Sequence, residues 1–214
     1  MKMKMTMTMT MTMKMTMTMK MTMTMDSNSR FLYELYKLAS AIAINSDFHG
    51  VEHWTRVERN ASYLASKIPE ADPMVVRAFA LVHDCCRERD GEDPEHGPRA
   101  AQMVWHWATA YGDKWLFNKR QTGHLMAACS LHTRASVDDG ISYPTTQQVC
   151  FDADRLDLGR VGITPDPDML FTDAGKDIAR RNAFFWLDEN HFAVTAAHHL
   201  TITPVNKQIE ETYA

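Results

Sequence analysis

Between Val75 and Asp84 the chain reads Val-Val-Arg-Ala-Phe-Ala-Leu-Val-His-Asp, and no other stretch constrains the fold as tightly. At 3.6 residues per turn, Val76, Phe79, Ala80 and His83 share one face, with Asp84 on its shoulder. An apolar helical run of this kind packs against a core and delivers an imidazole and a carboxylate to its edge, a natural start for a metal site. A lone His-Asp pair is common by chance, however, and a helix end carrying two polar residues would look the same. The company the pair keeps must decide between the two.

Nearly every other periodic segment also has the period of a helix. Ser29 is placed to cap a first helix through Phe31, Leu32, Leu35, Leu38 and Ala39, ending near Asn45. A turn at Ser46–Gly50 leads to a second, on which His53, Val57, Ala61, Leu64 and Ile68 follow three- and four-residue steps. The central helix is expected from Pro73 to about Cys86, after the breaks at Pro69 and Pro73. Further helices are expected over about Arg99–Tyr111, Lys114–His132 and Lys176–His199. Trp105, His106 and Trp107 read as packing residues, and His124 as a surface one. With no convincing strand, no internal repeat and no second domain, the expected fold is all-α and single-domain.

The first 25 residues are unlike the rest. Methionine fills every odd position through Met25, so 13 of the 17 methionines lie there. Such a low-complexity Met/Thr/Lys segment has the period of a strand but no partner strand, and no contiguous apolar core of a signal peptide. It reads as a disordered extension, with the working domain spanning residues 26–214. The extension holds four lysines and no acid, so the remainder carries 19 basic against 27 acidic residues, a formal charge of −8. That balance argues against generic nucleic-acid binding, which needs clustered Lys and Arg. No apolar run reaches the roughly 18–20 residues that cross a bilayer, which argues against a membrane protein. The four cysteines (Cys85, Cys86, Cys129, Cys150) lack Cys-x-x-Cys spacing and read as reduced, buried thiols in a cytoplasmic protein.

The inward-pointing residues at helix ends form an ordered string: His53, His83-Asp84, His96, His132 and Asp154. Their flanks are His-x-x-Arg-Val at His53, Leu-Val-His-Asp at His83, and Asp-Ala-Asp-Arg-Leu-Asp from Asp152. In this order they resemble the HD-domain superfamily of metal-dependent phosphohydrolases, over roughly residues 46–161. Asp93-Pro94-Glu95-His96-Gly97-Pro98 and Asp154–Val161 are similar to a bacterial subgroup of it. The resemblance implies an HD-domain helical bundle in which His53, His83, Asp84 and Asp154 hold one divalent metal. His96 and His132 match the two positions that hold a second ion in two-metal branches. The cyclic-dinucleotide branch has paired histidines where this chain has His132 followed by Thr133.

The chemistry follows from charge. A divalent ion lowers the pKa of bound water and offsets charge on a phosphoryl oxygen. Imidazole and carboxylate ligands without thiolate favour Mn, Fe, Co, Ni or Zn over Ca. Ligand imidazoles need a partner on their second nitrogen, for which Asp152, Asp157 and Glu52 are the candidates. Arg56, Arg87, Arg99 and Arg155 stand close in sequence to the ligand positions and suit phosphate recognition, with Arg56, Arg87 or Arg155 expected to balance the phosphoryl charge; Asp90 and Asp93 are candidate general acids or bases. The expectation is a metal-dependent hydrolase of a small phosphorylated substrate, a nucleotide before others, acting through metal-activated water. A di-iron oxygenase of the same superfamily and a non-catalytic nucleotide-binding regulatory module are the rival readings.

Overall fold

The computed structural model describes residues 26–181. Within them seven α-helices occur, with short 3-10 turns and no strand: α1 Ser27–Ser40, α2 Val51–Lys67, α3 Pro73–Val82, α4 His96–Tyr111, α5 Lys119–Leu131, α6 Thr145–Arg155 and α7 Asp173–Arg180. The all-α expectation therefore holds. The Met-rich extension and the stretch of the last expected helix beyond Arg181 lie outside the described residues.

Helix α3 is the axis of the bundle. Val75, Val76 and every residue from Ala78 to Val82 are buried, because α1, α2, α5 and α6 all pack against it. A helix apolar on nearly every side can only sit in a core. Its start is fixed by Asp72, whose carboxylate accepts from the amides of Met74 and Val75, while Pro73 supplies a preset first turn. The same Asp72 carboxylate accepts from Gln121 of α5, and the Asp72 amide donates to Thr146 of α6. One residue thus aligns three helices. At the other end the helix stops at Val82, four residues earlier than the expected Cys86, and His83 is its C-cap. The pair that matters chemically therefore sits where the backbone leaves the helix.

Other boundaries also differ from expectation. The cap of α1 is Asp26, which accepts from the Ser29 amide at 2.9 Å and the Ser29 hydroxyl at 2.8 Å, so Ser29 lies inside the helix. That helix ends at Ser40, not Asn45. Helix α4 begins at His96, not Arg99, and α5 begins at Lys119, where Asn118 and Gln121 close a capping box. Gly112–Lys114 is a separate 3-10 turn. Helix α7 begins at Asp173, with Thr172 capping the Gly175 amide. Trp107 packs in the core, whereas Trp105 is 52% exposed. His124 is half-buried against Arg120 and Gln147, not fully at the surface.

Candidate metal centre

Four helix ends meet beside α3. His53 lies in the first turn of α2, which Asn60 ties to α6 through the Ala153 carbonyl at 2.9 Å. His83 and Asp84 follow α3, His96 opens α4, His132 caps the end of α5, and Asp154 sits in the last turn of α6. All six are buried except Asp154, whose side chain keeps 18% of its surface. The spacing that would not survive a generic helix contact is between α4 and α5. A Cβ on Gly97 would collide with the Cys129 carbonyl and meet the His132 ring at 3.3 Å. Glycine after His96 therefore lets the two helix ends close until their imidazoles touch.

Two groups of ligand atoms result, sharing one carboxylate. In the first, His53 Nε2 lies 3.1 Å from His83 Nε2, 3.3 Å from Asp154 Oδ1 and 3.6 Å from Asp84 Oδ2. His83 Nε2 is 3.7 Å from each of the same two carboxylates. In the second, His96 Nε2 lies 2.9 Å from His132 Nε2 and 3.0 Å from Asp84 Oδ1, which is 3.7 Å from His132 Nε2. Asp84 thus turns one oxygen to each group. For metal–ligand bonds of ~2.1 Å, neighbouring ligand atoms stand roughly 3.0–3.4 Å apart in octahedral or tetrahedral shells, close to these separations.

The protons argue the same way. Every Nδ1 faces an acceptor: Asp157 Oδ2 for His53 at 2.7 Å, the Phe79 and Ala80 carbonyls for His83 at 3.2 Å, the Asp93 carbonyl for His96, and the Cys129 carbonyl for His132 at 2.7 Å. Four Nδ1–H donors are thereby placed, and in neutral rings the four Nε2 lone pairs converge on one another. Two lone pairs 2.9 Å apart inside a core repel unless a cation lies between them. The buried Asp84 Oδ1 also lacks a hydrogen-bond partner of good geometry among the described residues. Three His/Asp groups here could each hold a metal ion: His53, His83 and Asp84; His83, His132 and Asp154; and Asp84, His96 and His132.

The charge balance favours ionised carboxylates. Burial pushes the Asp84 and Asp154 carboxyls up, but the surrounding imidazoles hold both well below the usual range. Burial likewise works against protonation of His53, and its contacts with Asp154 and Asp157 outweigh it, raising its pKa. Of the three candidate second partners, Asp157 does the orienting. Asp152 instead accepts from the amides of Phe171 and Thr172 and from the Thr172 hydroxyl, clamping the loop before α7, and Glu52 is exposed.

The expected arginines separate into different places. Arg87 lies beside the cluster, its Nε 3.1 Å from Asp84 Oδ1 and its side chain only 12% exposed. Arg56 donates to Asp157 at 2.7 Å, on the carboxylate that also faces His53 Nδ1. Arg155 points its guanidinium at the carbonyls of Ala135 and Met169 and lies over the Phe171 ring, where it braces loops. Asp93 faces away, bonded to Arg99 at 2.6 Å and to the Glu88 amide at 2.9 Å. Asp90 is at the rim, accepting from Ser46 and lying 3.1 Å from His49 Nδ1. His49 itself packs edge-on to His53 with ring centroids 6.2 Å apart.

One cation was not anticipated. Arg160, in the 3-10 turn Leu158–Val161, places Nη1 3.8 Å from Asp157 Oδ2 and 4.0 Å from Asp154 Oδ1, with its side chain 10% exposed. Its position six residues after Asp154, across a turn, gives no helical phase that sequence reasoning can use. The cysteines are free thiols; burial pushes those of Cys129 and Cys150 up, in keeping with packing roles.

This arrangement of helices is also found in solved HD-domain structures. The chain is similar to a predicted HD superfamily hydrolase from an uncultured Thermotogales bacterium, at 22% identity and TM-score 0.54, over 77% of this chain and 91% of that one. It is also similar to Bacillus subtilis YpgQ, solved in complex with ADP, at 19% identity and TM-score 0.51, over 84% of this chain and all of that one. At these identities the likeness establishes the fold, which is the HD-domain helical fold. No family model matches the sequence, and no curated protein matches it. Among the described residues no helix is long and apolar enough to cross a membrane.

Proposed function

We propose that the chain is a metal-dependent phosphohydrolase with two adjacent cation positions. His53, His83, Asp84 and Asp154 would hold one ion, and His96, His132 and the second oxygen of Asp84 the other. The observation that carries this reading is the convergence of four Nε2 atoms whose Nδ1 partners are all committed, around a carboxylate that faces both groups. Divalent ions so held lower the pKa of water and offset charge on a phosphoryl group.

The protein's own residues supply the rest. Arg87 and Arg160 flank the two carboxylates and are the cations placed to balance non-bridging phosphoryl oxygens. His49, oriented by Asp90, is the nearest group able to carry a proton between the centre and solvent. Burial lowers the proton affinity of His49 despite its Asp90 contact. Asp90 therefore acts through His49, and Asp93 and Arg155 serve the scaffold. The substrate we favour is a nucleoside phosphate: YpgQ, with the same fold, binds ADP.

The test is metal analysis of purified protein, then a panel of phosphate esters and anhydrides with and without EDTA. Turnover that needs a divalent ion and disappears in Asp84→Asn with the helical spectrum retained supports the reading. The same six ligands suit a di-iron oxygenase; bound iron with O2 consumption and no phosphate release would favour that chemistry instead. Nucleotide binding that survives chelation, without turnover under any divalent ion, would favour a regulatory module.

A further inference from the structure

The turn that enters α2 is fastened to the turn that leaves α6. Arg160 donates from Nε to the Phe48 carbonyl at 2.8 Å and from Nη1 to the Asp157 carbonyl at 3.2 Å. The turn is also closed on itself. Ser46 Oγ accepts from the amides of Phe48 at 3.2 Å and His49 at 2.8 Å and bonds to Asp90, and Gly50 backs onto the Ser46 carbonyl where a Cβ would collide. The backbone of Phe48 is therefore held in place, one residue before the imidazole that abuts His53.

The side chain on that fixed backbone is left in water. Phe48 is 48% exposed, and Val161, next to Arg160, is 41% exposed. Single exposed apolar residues are ordinary on a protein surface, and Ile42, Trp105, Leu116, Ile141 and Met169 are of that kind. Phe48 and Val161 differ because they flank a buried arginine that reaches a proposed ligand. A rim with apolar area outside and charge within suits a ligand that carries both.

The geometry points to Phe48, assisted by Val161, as a specificity-determining residue that receives the planar base of a nucleoside phosphate while its phosphate faces Arg160 and the Asp84 centre. This rests on the phosphohydrolase reading above and assigns the residue that recognises the base of its substrate. Stacking a base on an aromatic ring is sequence-tolerant, so the rim selects for the presence of a base more than for its identity; its removal weakens binding by about 5- to 150-fold.

The experiment compares the full chain with Phe48→Ala, Phe48→Trp and, as an exposed aromatic remote in the fold, Trp105→Ala. Each is loaded with the divalent ion found in the purified protein. Hydrolysis of ADP and of base-free pyrophosphate is measured, together with calorimetric binding of ADP. The expected result is a roughly tenfold fall in the ADP-over-pyrophosphate ratio of kcat/KM for Phe48→Ala. It should be carried by KM, restored by Phe48→Trp and absent in Trp105→Ala. Equal effects on both substrates, no effect on either, or the same loss in Trp105→Ala would overturn the assignment while leaving the hydrolase reading intact. If the wild type hydrolyses neither compound, the hydrolase reading is judged on the wider ester and anhydride panel, and calorimetry decides the rim. Weaker ADP binding in Phe48→Ala alone upholds the rim; equal or absent binding in wild type and variant overturns it.

Discussion

Nε2 of His96 and Nε2 of His132 lie 2.9 Å apart, each on a ring whose Nδ1 is already committed to a main-chain carbonyl. With Nδ1 as the donor, each ring turns its Nε2 toward the other. His53 Nε2 and His83 Nε2 also lie close, at 3.1 Å, with His53 Nδ1 on the Asp157 carboxylate and His83 Nδ1 on the Phe79 and Ala80 carbonyls. A divalent ion should therefore stabilise the folded chain strongly. At an ion concentration 100 times its Kd the gain is about 2.7 kcal/mol, which for a domain of this size raises Tm by roughly 5–10 °C. Thermal melts with and without Mn, Fe, Co, Ni or Zn measure it, and His132→Ala should lose one bound ion where Asp84→Ala loses both.

Replacing Gly97 with alanine should damage the second group selectively. The added methyl meets the Cys129 carbonyl and the His132 ring. Parting α4 from α5 to admit it should cost about 1–3 kcal/mol. The measurable outcome is one ion per chain in place of two, with a melt only modestly lowered.

Arg160 and Arg155 should fail in opposite ways. Arg160→Gln removes the cation beside Asp154 and should lower kcat/KM for phosphate substrates by about 10- to 100-fold, a loss of roughly 1.4–2.7 kcal/mol in transition-state binding. Arg155→Gln removes donors to the Ala135 and Met169 carbonyls. It should cost about 1–3 kcal/mol of stability and leave kcat/KM of the folded fraction near the wild-type value. Urea unfolding paired with steady-state kinetics separates the two.

Acid should weaken the loop before α4 in a defined window. Burial pushes the Asp93 carboxyl up, but Arg99 and the Glu88 amide prevail and hold it at about 2. A carboxyl depressed on folding contributes in full above its unfolded pKa of about 3.9, and the contribution is lost as pH falls toward the folded value. Because Arg99 is 30% exposed, we expect about 1–2 kcal/mol after solvent screening. In urea titrations Asp93→Asn should trail the wild type by that amount at pH 7, and the gap should close as pH approaches 2.

His49→Asn should lower kcat by about 100-fold, the usual scale of lost proton transfer, and remove an acid limb that burial displaces downward from the ordinary imidazole range. Asp90→Asn should do less, since it only orients the ring. A pH–rate profile for each variant distinguishes a proton carrier from a packing residue.

Much of this was legible before any coordinates. The 3.6-residue period of Val75–Val82 points to a buried helix, and the resemblance to the HD-domain superfamily implies a gathering of six histidines and aspartates, which the fold brings together. Helix ends were harder. Asp26-Ser27-Asn28-Ser29 offers four good capping residues in a row, and it is the Asp26 carboxylate that accepts from the Ser29 amide and starts α1. Adjacency to Asp154 singles out Arg155 in the sequence and passes over Arg160. Both follow Asp154 closely, and which one turns toward it depends on the 3-10 turn at Leu158–Val161. Gly97 stood in plain view after His96, but a close approach between helices leaves no periodic trace.

The attachment of Asp72 to both Thr146 and Gln121 has an effect at the opposite end of α3. Ten helical residues span about 15 Å, so the aspartate that squares up the bundle works at a distance from any chemistry. A lesion there would tilt the rod that carries His83 and Asp84 and would surface as poor ion retention. A search for inactive variants should thus find hits on this far hinge, in a place no substrate visits.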